Sequence, residues 1–238
     1  MALWSIATSQ AVRYYELYPK DKWSLRVYIA AAWALNTLAL AFTDHAIYVD
    51  TVKALSDYRV LLEYTIGDRM IPLLGMSVAL SMHLFCLWRI WTFGRMSTAT
   101  VLNPALFYGA LSIIVLAITA EVSATLYHFA KQIHVPSTAV YERYLKPDLT
   151  VTLSCVAATD FVLTLSLVYM LLRHQSGALR ATKNMISQLV TYSLTTGTLC
   201  LTLAIMSIVS RIAWPSAYYY NLFSMVMAPV YLNSLLAA

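Results

Sequence analysis

Apolar residues in this chain gather into long continuous runs separated by short polar links. They show neither the strict alternation of a strand nor the one-sided stripe of a soluble helix. In order, the runs predict helices over about 2–17, 25–49, 70–93, 104–129, 149–172, 185–212 and 217–236. A helix that crosses a bilayer needs about 20 apolar residues, and most of these runs reach that length. The first does not. It turns polar in its second half, through Arg13, Tyr14, Tyr15 and Glu16, and Pro19-Lys20-Asp21-Lys22 ends it. Strands of a membrane barrel would be about 10 residues long and alternating, so a barrel does not fit. Pro104 falls where a first-turn proline is tolerated, since its missing N–H is unpaired there in any helix. The expected fold is all-α: a polytopic membrane protein built as a seven-transmembrane helix bundle with an abbreviated first helix, in one domain over 1–238. No internal repeat is visible, which weakens an inverted-repeat transporter.

Composition leads to the same solvent. Sixty per cent of the 238 residues are hydrophobic, 11% are charged and mean hydropathy is +0.66. Soluble domains carry about 25% charged residues, and half that amount cannot cover a water-facing surface of this size. An ordinary cytosolic enzyme, a disordered chain and a nucleic-acid binder are thereby excluded. Cys86, Cys155 and Cys200 each lie inside an apolar run without metal-ligand spacing, and read as small buried hydrophobes. No metal and no cofactor is expected.

The net charge of +5 is distributed unevenly. The first, third and fifth links hold Lys20, Lys22, Arg26, Arg89, Arg95, Arg173, Arg180 and Lys183, against Asp21 alone. The other three hold Lys53, Arg59, Arg69, Lys131, Arg143, Lys146 and Arg211 together with six acids, Asp50, Asp57, Glu63, Asp68, Glu142 and Asp148. Short links rich in Lys and Arg stay in the cytoplasm. The expected orientation therefore puts the N-terminus outside and the C-terminus inside, in either the plasma membrane or the endoplasmic reticulum.

Polar groups within the spans are the candidates for chemistry, because a charge at the bilayer centre costs at least ~2.5–3.5 kcal/mol on insertion scales. Asp160 lies near the middle of the fifth run and Glu121 two-thirds along the fourth. Each reads either as an acid tying helices together or as a ligand, proton or cation site. Asp44, beside His45, falls near the outer end of the second run, and Asp68 falls where a negative side chain favours a helix N-terminus. Asp160, Glu121 and Asp44 are the weak candidates for a catalytic acid. His83 lies in mid-run. His128 shares a face with Glu121 but at two turns' separation, too far for contact. Thr191, Thr195 and Thr198 form one stripe of the sixth run, lining a cavity or bonding between helices. Asp160, Glu121, His83 and these three threonines are the ligand or cavity-lining candidates. Arg89, between Trp88 and Trp91, reads as a lipid-interface anchor snorkelling to phosphate, and Arg173 reads similarly.

Several motifs recur in order along the chain: Tyr15 to Lys22, Trp88-Arg-Ile-Trp91, Thr159-Asp160, Arg173-His-Gln-Ser-Gly177, Thr182-Lys-Asn184, Leu189-Val-Thr-Tyr-Ser-Leu-Thr-Thr-Gly197 and Tyr231-Leu-Asn-Ser-Leu-Leu236. Together they resemble a fungal, mostly basidiomycete, seven-transmembrane integral membrane family catalogued as a domain of unknown function. The resemblance implies the fold and brings no established activity. Thr195 stands where that family usually has Asn. Against its pattern the first helix is shorter and the cytoplasmic tail is missing, which implies either a shortened member or a gene sequence lacking its ends.

Three classes of function remain. A receptor-like or scaffold protein fits the helix count, the orientation and the lack of a recognisable catalytic constellation. A retinal pigment is disfavoured, since the seventh run holds no lysine. A membrane-embedded enzyme would use an intramembrane acid on a lipophilic, terpenoid-type substrate. A small-molecule transporter would run along Asp160 and the threonine stripe. The expected partners are membrane lipid and a lipophilic small molecule, without nucleic acid.

Overall fold

The computed structural model of the protein describes residues 1–57, 65–97, 104–135, 137, 140–141, 144–175, 180–214 and 219–237; the side chains of 93, 95–97, 104, 106, 146, 171, 173–175, 180–193 and 237 lie outside that description. Seven long helices account for nearly all of it. They are α1 (Ala2–Leu17), α2 (Trp23–Tyr48), α3 (Ile66–Ser97), α4 (Pro104–Gln132), α5 (Lys146–Gln175), α6 (Arg180–Ala213) and α7 (Tyr219–Ala237). A π-helical turn, Val49–Lys53, and one further turn, Ala54–Ser56, prolong α2 into the stretch expected to be a link.

Most helices outrun their apolar runs because hydropathy marks the hydrocarbon layer, while a helix stops at a cap. At α3 the cap is explicit. Thr65 is the N-cap residue: its N–H and Oγ1 donate to Asp68 Oδ2 at 3.0 and 2.6 Å, and Asp68 N–H donates back to Thr65 Oγ1 at 3.3 Å. This reciprocal box satisfies donors that the first turn leaves unpaired, so Asp68 is a capping residue inside the helix.

Among the described residues, five helices are long and apolar enough to cross a membrane: Trp23–Ser56, Ile66–Thr92, Phe107–Gln132, Pro147–Met170 and Leu194–Ala213. The protein is thus an all-α, multi-pass membrane protein. Helix α1 is about 24 Å long at 1.5 Å per residue, short of the ~30 Å hydrocarbon core. It is nonetheless docked. Trp4 Nε1 donates to Thr37 Oγ1 at 3.0 Å, Trp33 Nε1 donates to Thr8 Oγ1 at 3.1 Å, and Asn233 Nδ2 on α7 donates to Leu3 O at 2.9 Å. Its first turn therefore lies beside the final turns of α7.

Neighbouring helices pack in sequence around the bundle, and α1 and α2 close it by also contacting α7. Helix α3 is central, touching α2, α4, α5 and α7. One apolar core joins α1, α2, α3 and α7 through Ala7, Ala32, Val78 and Leu232, and a second joins α3, α4 and α5 through Ile90, Phe107, Ile114 and Leu167. Pro72 lies inside α3, where its missing N–H leaves the Asp68 carbonyl without its helical donor. Gln132 Nε2 from the end of α4 donates to that carbonyl at 3.0 Å.

Candidate functional site

The inward stripe of each central helix repeats every three or four residues, and near mid-helix each carries an ionisable group among its apolar positions. On α3 the buried stripe is Val78, Ala79, His83, Cys86 and Ile90; on α4 it is Ile114, Ile118, Glu121, Thr125 and His128. On α5 it is Leu153, Val156, Asp160, Leu163 and Leu167, and on α7 it is Met227, Ala228, Tyr231 and Leu235. Four helices thus bring four groups to one place. His83, Glu121, Asp160 and Tyr231 are 1%, 0%, 5% and 2% exposed.

They form a line with the imidazole in the middle. His83 Nε2 lies 3.0 Å from Asp160 Oδ1, and His83 Nδ1 lies 3.2 Å from Glu121 Oε2. The first contact is a hydrogen bond. The second is an ion pair without hydrogen-bond alignment, and Glu121 Oε1 meets no donor among the described residues. The Tyr231 hydroxyl donates to Asp160 Oδ2 at 2.5 Å, and its ring meets the His83 ring edge-on at 5.6 Å between centroids. Tyr28 on α2 donates its hydroxyl to the Ser81 carbonyl next to this level of α3.

Proton accounting limits the states of the line. A neutral imidazole has one donor and one acceptor nitrogen, so with neutral His83 one flanking carboxyl must carry the proton. With both ring nitrogens protonated, both carboxylates can be ionised. Arg89 is 6% exposed and faces the same interior, its guanidinium 5.8 Å from the centre of the Phe85 ring. Glu121, Asp160, protonated His83 and Arg89 together sum to zero charge, which removes the large cost of a net buried charge.

Two cavities flank the line, and Tyr231 lines both. The larger, of about 610 Å³, lies between α3, α4, α5 and α7 at the end of the bundle where α3, α5 and α7 begin. Its depth is apolar, with Met76, Ala79, Val156 and Met227, and its mouth is polar, with Asp50, Asp68, His128, Tyr141 and Asn221. Among the described residues no lysine or arginine lines it. His128 is fully buried; its Nε2 lies 3.5 Å from the Tyr141 hydroxyl, and its Nδ1 has no hydrogen-bond partner among the described residues. The smaller cavity, of about 30 Å³, lies on the other side and is lined by His83, Cys86, Arg89, Asp160, Thr164, Thr196, Gly197 and Tyr231. That is room for about one water.

The structure thus brings together His83, Glu121 and Asp160, three of the residues singled out in the sequence. Of these, Asp160 and His83 open into the small cavity, while Glu121 lines neither. Asp44 is half-buried near the C-terminal end of α2 and also lines neither. Thr195 and Thr198 are exposed, and Thr198 Oγ1 bonds back to its own helix at Leu194 O and Thr195 O. The inward residues are their neighbours Thr196, Gly197 and Cys200, because α6 meets α5 at Gly197, where a Cβ would run into Thr164. Thr191 and Arg173 lie outside the described side chains. Trp88 and Trp91 are exposed, but Arg89 between them turns into the bundle.

Tyr231 and the cavity role of His128 were missed in the sequence. Among the described residues, no group of three or more His, Cys, Asp or Glu side chains is arranged to hold a metal ion.

No curated protein and no solved structure matches the chain. Residues 156–238, which carry Asp160 and Tyr231 but neither His83 nor Glu121, match the model of a family of unknown function (DUF6534).

Proposed function

We propose that this chain is a seven-helix, receptor-like membrane protein that binds a lipophilic small molecule in the large cavity. In this reading α7 adds a crossing to the five longer spans, α1 enters the bundle only as far as the final turns of α7, and the C-terminus is cytoplasmic. The outward apolar side chains, among them Leu116 and Phe161, contact membrane lipid.

The observation that carries the reading is the cavity of about 610 Å³. Pockets of roughly 300–1,000 Å³ with apolar walls and a few converging polar groups are the usual form of a small-molecule site. Here the apolar depth suits a hydrocarbon body. The mouth, with Asp50, Asp68 and the unpartnered His128 Nδ1, suits a hydroxyl, carbonyl or amine head and disfavours a carboxylate or phosphate. The enzyme reading draws less support, because the large cavity is lined by Tyr231 but by neither Asp160 nor Glu121.

Gly75 supplies the test. It lines the cavity, and a Cβ built there meets nothing within 4 Å, so a large side chain would grow into the space. Purified protein is heated with single-chain amphiphiles of equal length bearing an amine, an alcohol or a carboxylate. At 100 times Kd, the bound state gains about 2.7 kcal/mol, which for a chain of this size raises Tm by roughly 5–10 °C. The amine or the alcohol produces that rise, the carboxylate does not, and Gly75→Phe abolishes it. A rise with the carboxylate alone, or one that survives Gly75→Phe, overturns the reading.

A further inference from the structure

We propose that the large cavity takes a long-chain amino alcohol, with its ammonium at Asp50 and Asp68 and its hydroxyl at His128. The proposal rests on the amphiphile reading above and names the head that the mouth selects. Separate elements build that mouth. Asp50 lies in the π-helical turn after α2, Asp68 in the first turn of α3, His128 near the end of α4 and Asn221 in the first turn of α7.

Two demands meet there, and the first is charge. Asp50 and Asp68 both line the mouth, and among the described residues no lysine or arginine does. The two carboxylates lie close enough to repel each other, and a cation beside them removes that repulsion. Asp68 Oδ2 already accepts from the Thr65 cap, whereas Asp50 makes no hydrogen bond through its carboxylate among the described residues. Asp50 is therefore the main counter-ion.

The second demand is a hydrogen bond. His128 is fully buried and lines the cavity, yet its Nδ1 has no partner among the described residues. A buried polar atom left unpaired is costly. A ligand hydroxyl can donate to that nitrogen or accept from it, so it suits either ring tautomer.

Charges behind the wall decide which end of the head goes where. Arg211 lies behind Tyr220, its guanidinium 4.4 Å from the ring centre, and its field reaches His128. Lys131 reaches it too, but is neutralised by Asp148 at 2.8 Å. A cation is thus repelled from the His128 side and drawn to Asp50. A plain alcohol leaves the two carboxylates without a counter-ion, and a plain amine directed to them leaves His128 unpaired. The amino alcohol meets both demands, and its chain fills the apolar depth beside Met76, Ala79 and Met227.

In the test, the purified full chain in neutral micelles is titrated with a straight-chain vicinal amino alcohol and with its N-acetyl derivative. The primary amine and the primary alcohol of the same chain length are run beside them. Affinity is read from the rise of Tm with ligand concentration. The amino alcohol binds about tenfold tighter than the amine or the alcohol, each of which lacks one contact. The N-acetyl derivative keeps the hydroxyl, loses the charge and falls to the level of the alcohol. Asp50→Asn removes the advantage over the alcohol, and His128→Phe removes the advantage over the amine. The N-acetyl comparison uses the wild-type chain, so it decides the role of charge whether or not Asp50→Asn folds. An N-acetyl derivative that binds as tightly as the amino alcohol, or an advantage over the alcohol that survives Asp50→Asn, overturns the proposal. In that case, binding of the amine or the alcohol that is lost in Gly75→Phe still upholds the amphiphile reading. No rise with any of the four ligands overturns both.

Discussion

Tyr231 on α7 donates its hydroxyl to Asp160 on α5 at 2.5 Å, so a residue lining the large cavity is bonded directly to the buried ionisable line. The two residues are 71 positions apart, and neither helix explains its polar residue alone. Together they satisfy the carboxylate oxygen that His83 does not reach.

Tyr231→Phe tests that bond as a stabilising contact. Phe fills the same volume and keeps the edge-on contact with His83, but Asp160 Oδ2 is left buried without a donor. A hydrogen bond to a charged group contributes about 1.5–3 kcal/mol. Reversible denaturation in micelles will show Tyr231→Phe less stable by that amount, and a variant as stable as wild type would mean that the bond contributes nothing.

His83 holds two acids apart, and its removal exposes them to each other. Breaking a buried pair by deleting one partner costs about 3–5 kcal/mol, whereas neutralising the whole set is far milder. His83→Leu will therefore be strongly destabilised, and adding Glu121→Gln and Asp160→Asn to the same chain will recover most of the loss. The thermal midpoints of the single and triple variants measure this directly. Losses that simply add would contradict an interacting cluster.

Two glycines separate by what lies beside them. Gly75 faces open space, so Gly75→Ala gains up to about 1 kcal/mol from helix propensity. At Gly197 a Cβ would collide with Thr164, so Gly197→Ala costs about 1–3 kcal/mol by overpacking. Thr164→Ala in the same chain will relieve that cost. Unfolding midpoints of the four variants check both signs.

Gln132 substitutes for the donor that Pro72 lacks. Gln132→Leu leaves the Asp68 carbonyl without its partner and costs about 1–3 kcal/mol. The double variant with Pro72→Ala restores the helical N–H and should lose less than Gln132→Leu alone. Hydrogen exchange in the first turns of α3 will rise in the single variant and return in the double one.

The helices were legible because the lipid-facing and core-facing residues are both apolar, which gives each helix a run that no loop shares. Their ends were not, since caps such as Thr65 and Asp68 lie beyond the run. Arg89 shows the consequence. Counted from the end of the apolar run near 93 it lies at the interface, but α3 continues to Ser97, which places Arg89 about two turns inside the helix. Periodicity also showed that Thr195 and Thr198 share a stripe without showing which way it faces. The face was decided by Gly197, where α5 comes close. The pairing of His83 with Glu121 and Asp160 was hidden for a different reason. Those contacts join separate helices at the same depth, and a single sequence gives spacing within a helix but no depth relative to another.

The most direct test of the central claim asks whether water and small molecules reach the depth of the cavity. In a chain whose native cysteines are replaced, Met76→Cys places a thiol on the cavity wall, and Leu116→Cys places one on the exposed outer face of α4. Intact cells are treated from outside with a membrane-impermeant thiol reagent. Met76→Cys will be modified quickly, Leu116→Cys slowly, and an amphiphile that raises Tm will protect Met76→Cys alone. Modification of Met76→Cys no faster than that of Leu116→Cys would contradict a cavity open to the outside.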